Sequence, residues 1–182
     1  MIPIYEQDSG KGVGYGLNSF LKRFEHICQE HVEAGRAKAF AFIFYDFNDQ
    51  GLRTVLKDQG VFAQLDRLSG KNLSIFYLHT GQKEAVAKFN RVLLSALEVR
   101  EKADLPCVVF CRLAEGQLRD IAVAQLDHAD LIHGFHELYG VIDRYIANQG
   151  DKTDGLRSVK WLKSGARFIA EEAFKVALEK LL

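Results

Sequence analysis

The sequence predicts an α/β domain in which a mixed sheet lies between two layers of helices. Two strand–helix units follow one another, and strands that are joined through a helix pair in parallel. Two further strands are separated only by residues 114–117, which indicates an antiparallel hairpin. A helix after the hairpin completes the covering of both faces. A sheet that combines parallel and antiparallel pairs is a mixed sheet.

The amino-terminal part, residues 1–35, is predicted to hold an edge strand at residues 1–5, a loop and a helix. Glycines recur at positions 10, 12, 14 and 16 of the loop. Their spacing matches neither G-x-G-x-x-G nor a P-loop, so we expect a flexible loop here. In the helix, residues 17–33, apolar residues share one face. His31 lies on that face, and we expect it to be a core histidine with hydrogen-bond partners.

The central part, residues 36–150, is predicted to hold the sheet and its covering helices. Residues 39–47 are almost all apolar or aromatic, as in a strand that is buried on both faces. Three more strands are predicted, at residues 72–79, 106–113 and 118–126. Three helices are predicted with them, at residues 51–69 (interrupted at Gly60), 82–99 and 127–148.

A turn-rich linker at residues 150–155 precedes the last predicted element, a helix over residues 156–182. Its apolar residues occupy more than one side, which one docking surface cannot easily cover. Its first half is rich in cations without an acid, at the helix end where the macrodipole disfavours them. We expect this helix to dock a protein partner or a second copy of the chain. The residues expected to do so are Arg157, Lys160, Trp161, Lys163, Arg167 and Phe168.

Pro106 stands at the start of the first hairpin strand, and the only other proline is Pro3. Proline has no N–H to give to a ladder, so it suits the first residue of a strand. This proline and the element order resemble the thioredoxin-like fold over about residues 39–148. The resemblance implies a three-layer sandwich and a cis Leu105–Pro106 peptide. The core would be residues 36–150 and the amino-terminal part an extension, with the last helix appended, all in one compact domain.

The thioredoxin-like resemblance also implies a Cys-x-x-Cys pair opposite the proline, and the sequence lacks it. The corresponding residues, 45–50, contain no cysteine. Dithiol chemistry needs a low-pKa thiolate and a resolving thiol, so we expect neither ordinary oxidoreductase activity nor a cofactor. The leading hypothesis is a non-catalytic binding protein, such as a bacterial immunity, chaperone-like or defence-associated factor. Its expected recognition residues are Asp46, Asn48, Asp49, Leu105, Pro106 and Cys107.

Alternative functions stay open at this point. Asp46 and Asp49, with His79 nearby, could hold a divalent cation for phosphotransfer, although capping of the next helix by Asp49 or Asn48 is favoured. Cys107 could act as a single redox cysteine, although a buried structural role is favoured. A nucleic-acid accessory protein would use the basic row of the last helix.

Composition limits the classes of function. Lys+Arg and Asp+Glu are both 24, so the formal net charge is zero, which disfavours general nucleic-acid binding. The three cysteines stand at no metal or disulfide spacing, and no metal site is predicted. From the first residues we expect no signal peptide, and no apolar run suggests a membrane span. These features predict a cytoplasmic protein.

Overall fold

The computed structural model describes residues 1–6, 14–57, 63, 66–67, 72–114, 117–127, 129, 131–147 and 159–163. Their strands are β1 (Ile2–Tyr5), β2 (Tyr15–Gly16), β3 (Ala39–Phe44), β4 (Leu73–His79), β5 (Cys107–Ala114), β6 (Gln117–Leu126) and β7 (Val159–Lys163). The helices are α1 (Leu17–Glu33), α2 (Gln50–Lys57), α3 (Lys83–Ala96) and α4 (Leu131–Ile146). The predicted α/β class, with a mixed sheet flanked by helices, is confirmed.

The strands form one seven-stranded sheet in the order β2-β1-β4-β3-β5-β6-β7. The pairs β1–β2, β1–β4 and β3–β4 are parallel. The pairs β3–β5, β5–β6 and β6–β7 are antiparallel. Strand β3 lies at the centre, and all six of its residues are buried, because helices cover both faces of the sheet there.

The alternation of large and small residues in β3 separates the two faces of the sheet. Phe42 stacks on Phe76 of β4 at 5.5 Å, and Phe24 of α1 packs on the same side at 5.3 Å from Phe42. Ala41 lies on the other face, beside Phe110 of β5. The ring of Tyr145 of α4 lies 5.2 Å from Phe110. Helix α1 therefore covers one face and α4 the other.

Strand β2 is an element that the sequence does not predict, since two residues are too few to show a periodic pattern. Tyr15 pairs with Ile4 and Gly16 with Tyr5. Gly14, immediately before β2, has φ of 154°, and a Cβ there would lie 2.6 Å from the carbonyl oxygen of Pro3. Only glycine permits this close approach. The other glycines of the predicted loop, Gly10 and Gly12, lie outside the described residues.

The prediction of a helix over residues 156–182 is wrong in the part that the structure describes. Residues 159–163 form β7, in which Lys160, Trp161 and Lys163 pair with residues of β6. Pairing satisfies the backbone groups along the edge of β6, and valine and tryptophan suit a strand. A helix here would also place cations at its amino end, where the helix dipole disfavours them. Arg157, Arg167 and Phe168 lie outside the described residues.

The basic row and the docking face predicted for the last helix both depended on helical spacing. Residues 159–163 do not have that spacing in β7, so neither the row nor the face is formed there as predicted. The linker at residues 150–155 and hairpin residues 115–116 lie outside the described part of the chain. Within the described ranges, no helix combines the length and the apolar character that crossing a membrane requires.

Candidate functional site

The carboxyl ends of β3 and β4 meet the start of β5 and the end of β6 at one edge of the sheet. We call this region the Pro106 edge; it comprises residues 45–50, 79–80, 104–106 and 125–127. Phe44 pairs with Cys107, and Cys107 with Gln125. The antiparallel register therefore places Tyr45 next to Pro106. Sequence reasoning placed the loop after β3 close to Pro106, and the register agrees.

Pro106 is buried, and the Leu105–Pro106 peptide is cis, as the sequence analysis predicts. The Pro106 carbonyl oxygen accepts a hydrogen bond from the Leu126 N–H at 2.9 Å. Pro106 therefore stands at the junction between β5 and the end of β6. Leu105 is half-buried and packs against the core.

The loop after β3 is ordered by its own carboxylates. Asp46 Oδ1 accepts a hydrogen bond from the Asn48 N–H at 2.8 Å, and the Asp49 N–H donates to the Asp46 carbonyl oxygen at 3.0 Å. Asp49 Oδ1 accepts from the Leu52 N–H at 2.9 Å. This last contact caps the amino end of α2, which confirms the capping interpretation of Asp49. Asp46 and Asn48 are exposed.

The cation-binding hypothesis receives no support from this loop, since both of its carboxylates order the local backbone. Among the residues that the structure describes, no group of three or more His, Cys, Asp or Glu residues is placed to hold a metal ion. His79, the suggested third ligand, is exposed at the end of β4. Its ring lies 5.9 Å from Tyr5 and 6.3 Å from Tyr77, edge-on to both.

The three cysteines are buried with free thiols. Burial, together with the nearby Asp104 carboxylate, raises the pKa of Cys107 to about 12. Burial also raises the pKa of Cys28 and of Cys111. A thiol is nucleophilic as its thiolate, so Cys107 is a poor nucleophile at neutral pH. The geometry favours the buried structural role.

Two buried polar side chains make hydrogen bonds to the backbone next to the Pro106 edge, and the sequence analysis predicts neither contact. The Tyr45 hydroxyl donates to the Leu78 carbonyl oxygen at 2.8 Å, which ties the end of β3 to β4. Asn90 Nδ2 of α3 donates to the Tyr45 carbonyl oxygen at 2.8 Å. The available signal was an asparagine beside Phe89, on the apolar face of a predicted helix. Buried polar groups require partners, so such a residue indicates a contact with nearby backbone.

Glu6 was also missed, because it follows a short strand and belongs to no pattern. Its carboxylate accepts hydrogen bonds from the Thr80 hydroxyl and from Gln82 Nε2, the latter at 3.2 Å. Thr80 Oγ1 in turn accepts from the Gln82 N–H at 3.0 Å. These contacts join the end of β1 to the segment that begins α3. They give Thr80 a structural role at the Pro106 edge.

The surface of the Pro106 edge is acidic around one apolar side chain. Asp46, Asp104 and Asp127 are all exposed; Asp104 adjoins half-buried Leu105 in the chain, and Asp46 and Asp127 follow the strands that pair with β5 at this end. The Asp104 carboxylate accepts a long hydrogen bond from Gln125 Nε2 at 3.4 Å. The Asp127 carboxylate accepts from the Ala129 N–H at 2.9 Å. The edge thus has a fixed backbone and a rim with three exposed carboxylates; exposed Lys102 also lies there, and its carbonyl oxygen accepts from Gln125 Nε2 at 2.9 Å.

Comparison of the sequence with protein-family models and with curated proteins finds no match.

Proposed function

We propose that this chain is a thioredoxin-like domain that binds a partner protein at the Pro106 edge and carries out no thiol chemistry there. The element order supports the fold: two strand–helix units pair in parallel, and the hairpin strands β5 and β6 join them antiparallel. Pro106 immediately precedes β5 beside the loop that follows the central strand. These are the features that the thioredoxin-like resemblance implies.

One observation carries the proposal for function. Where a thioredoxin-like enzyme would have its Cys-x-x-Cys pair, this chain has a turn whose Asp49 caps α2. The nearest thiol, Cys107, is buried and has a pKa of about 12. The loop and the proline therefore keep a defined surface without a reactive group. A preorganised surface of this kind suits recognition, because little entropy is lost when it binds.

The charge of the rim indicates which partner surface would fit. Asp46, Asp104 and Asp127 are exposed around Leu105, so a segment with cations beside an apolar side chain complements the edge. Opposite charges steer the encounter and suppress wrong partners. We propose such a segment of a partner protein as the ligand of the Pro106 edge.

Site-specific photocrosslinking in cells of the source organism tests the proposal. A photoreactive residue is placed at exposed Asn48 or Asp104 of the edge, and at exposed Lys22 of α1 as a matched control. We expect both edge positions to crosslink one and the same protein, and the control position not to do so. Equal crosslinking from Lys22, or none from the edge positions, would contradict the proposal.

A further inference from the structure

A buried polar cluster joins three elements on the α1 side of the sheet. His31 Nδ1 lies 2.9 Å from Ser74 Oγ of β4, and His31 Nε2 lies 3.1 Å from the Tyr15 hydroxyl of β2. His31 and Ser74 are each only 4% exposed. Tyr15 is half-buried. We call these three residues the His31 cluster.

The His31 cluster has the residue types of a catalytic site but not the access that catalysis requires. The Ser74 hydroxyl and the imidazole are sealed in the core, and rings of Phe40 and Phe76 lie 6.5 and 5.6 Å from the imidazole. A substrate carbonyl therefore cannot reach the serine oxygen. The cluster must serve the fold or its regulation.

A proton on His31 would reverse one of the two hydrogen bonds of the cluster. In a neutral imidazole one ring nitrogen donates and the other accepts, and both donate in the cation. Whichever hydroxyl donates to the neutral ring must therefore turn and become an acceptor when the ring is protonated. Burial raises the pKa of Tyr15, so its hydroxyl keeps its proton in this pH range. The hydroxyl that turns then needs another acceptor for its own proton, so protonation rearranges the hydrogen bonds of the cluster.

The charged and titratable groups around the imidazole also disfavour the cation overall. Burial lowers the pKa of His31 below 6.5, and the Arg36 guanidinium between α1 and β3 lowers it further. The Glu30 carboxylate of α1 opposes this, but it already pairs with Arg23 and His26 at 3.1 and 3.0 Å. A further titratable group on α1 near the cluster is the Cys28 thiol, whose pKa is raised by burial, so it stays neutral. Strands β3 and β4 present the uncharged Phe40, Phe76 and Ser74.

Of the elements joined by the cluster, β2 is the shortest, and its Tyr15 ring lies 5.8 Å from Phe20 and 6.2 Å from Phe76. Ser74 belongs to a seven-residue strand that is paired on both sides, and His31 belongs to a 17-residue helix. Tyr15 belongs to a two-residue strand at the end of the sheet order, paired with β1. Short edge strands open at low free-energy cost. A disturbance of the cluster should therefore release β2 before the core opens.

We infer that the His31 cluster is a proton-sensitive clasp: when His31 takes up a proton in mild acid, the hydrogen bonds of the cluster rearrange and β2 leaves the sheet while the core strands stay paired. The detached state returns the imidazole to water, where its pKa is near 6.5. Detachment is therefore suppressed above pH 6.5 and increases as the pH falls through the lower pKa of the closed state. The released edge is the outer side of β1, which becomes available for pairing with another strand.

Amide hydrogen exchange of the full chain, measured by NMR between pH 7.5 and 5.0, tests the clasp. Protection factors remove the intrinsic pH dependence of exchange. The amides of β2 and of its neighbour β1 are expected to lose protection as the pH falls, by up to about tenfold per pH unit for one proton. The amides of β3 should keep theirs. The loss should follow the titration of the His31 ring signal in the same samples.

Three variants separate the clasp from ordinary acid lability. His31→Gln is neutral at all pH values and should remove the pH dependence. Tyr15→Phe should lower β2 protection already at pH 7.5 and flatten the dependence, while the matched Tyr139→Phe, at an exposed residue of α4, should behave as wild type. Three results would overturn the clasp: full acid sensitivity retained in Tyr15→Phe, β2 protection that is independent of pH in wild type, or parallel loss of protection in β2 and β3.

Discussion

Replacing Asp49 distinguishes a structural carboxylate from a catalytic or metal-binding one. The Asp49 carboxylate caps α2 through the Leu52 N–H at 2.9 Å. Loss of such a cap costs about 1 kcal/mol, in a range of about 0.5–2 kcal/mol, whereas asparagine caps about as well as aspartate. Asp49→Ala should therefore lower the free energy of unfolding by about 1 kcal/mol, and Asp49→Asn by much less. In a chain of 182 residues, 1 kcal/mol corresponds to a Tm about 2–4 °C lower.

Urea unfolding followed by circular dichroism measures this effect, with an unchanged m-value as the sign that only stability changed. Asn48→Ala, at the exposed neighbouring residue, is the matched control and should shift stability by less than about 0.5 kcal/mol. The reasoning fails if Asp49→Ala is as stable as wild type. It also fails if Mg²⁺ stabilises the wild type and the Asp49→Asn substitution abolishes that effect, because a cap does not need the charge and a cation site does.

Three further outcomes are expected. With a pKa of about 12, Cys107 should alkylate in the native protein at pH 7.5 about three orders of magnitude more slowly than an exposed cysteine; rapid labelling by iodoacetamide would contradict the buried role. Asn90→Ala leaves the Tyr45 carbonyl oxygen without the donor at 2.8 Å and should cost about 1–3 kcal/mol in urea unfolding, and a cost near zero would show that the contact is dispensable. Between the lowered pKa of His31 and 6.5, the unfolded chain binds up to one more proton than the folded one. Lowering the pH through this range should therefore reduce the free energy of unfolding, by at most about 1.4 kcal/mol per pH unit. His31→Gln should remove that part of the pH dependence, and an unchanged slope would exclude His31 as its source.

The parts of the fold that depend on long apolar patterns could be predicted from the sequence. The apolar run of β3 indicates burial on both faces, and α1 has the predicted bounds because its apolar spacing is regular. His31 could be assigned to the core with partners, since it lies on an apolar helical face. The cis Leu105–Pro106 peptide could be predicted only through the resemblance to the thioredoxin-like fold, because no periodic pattern indicates it.

The remaining features depend on tertiary contacts that leave little trace in a local pattern. Strand β2 is two residues long and is formed by pairing with β1. Strand β7 lies in a segment with helical apolar spacing, but pairing with β6 prevails there. Glu6 contacts side chains, and Asn90 a backbone carbonyl oxygen, that are far away in the sequence, so only the folded arrangement shows what they do.

The comparison of one charge reversal at the Pro106 edge with one elsewhere tests the central claim most directly. Asp104 is exposed at the edge, where its carboxylate accepts from Gln125 Nε2 at 3.4 Å, and Asp143 is exposed on α4. Titration calorimetry would measure the binding of the protein that the edge positions crosslink. We predict that Asp104→Lys weakens this binding by about tenfold or more, with a larger effect at low salt, and that Asp143→Lys leaves it unchanged. Equal affinities for the two variants, both folded by circular dichroism, would contradict recognition at the Pro106 edge.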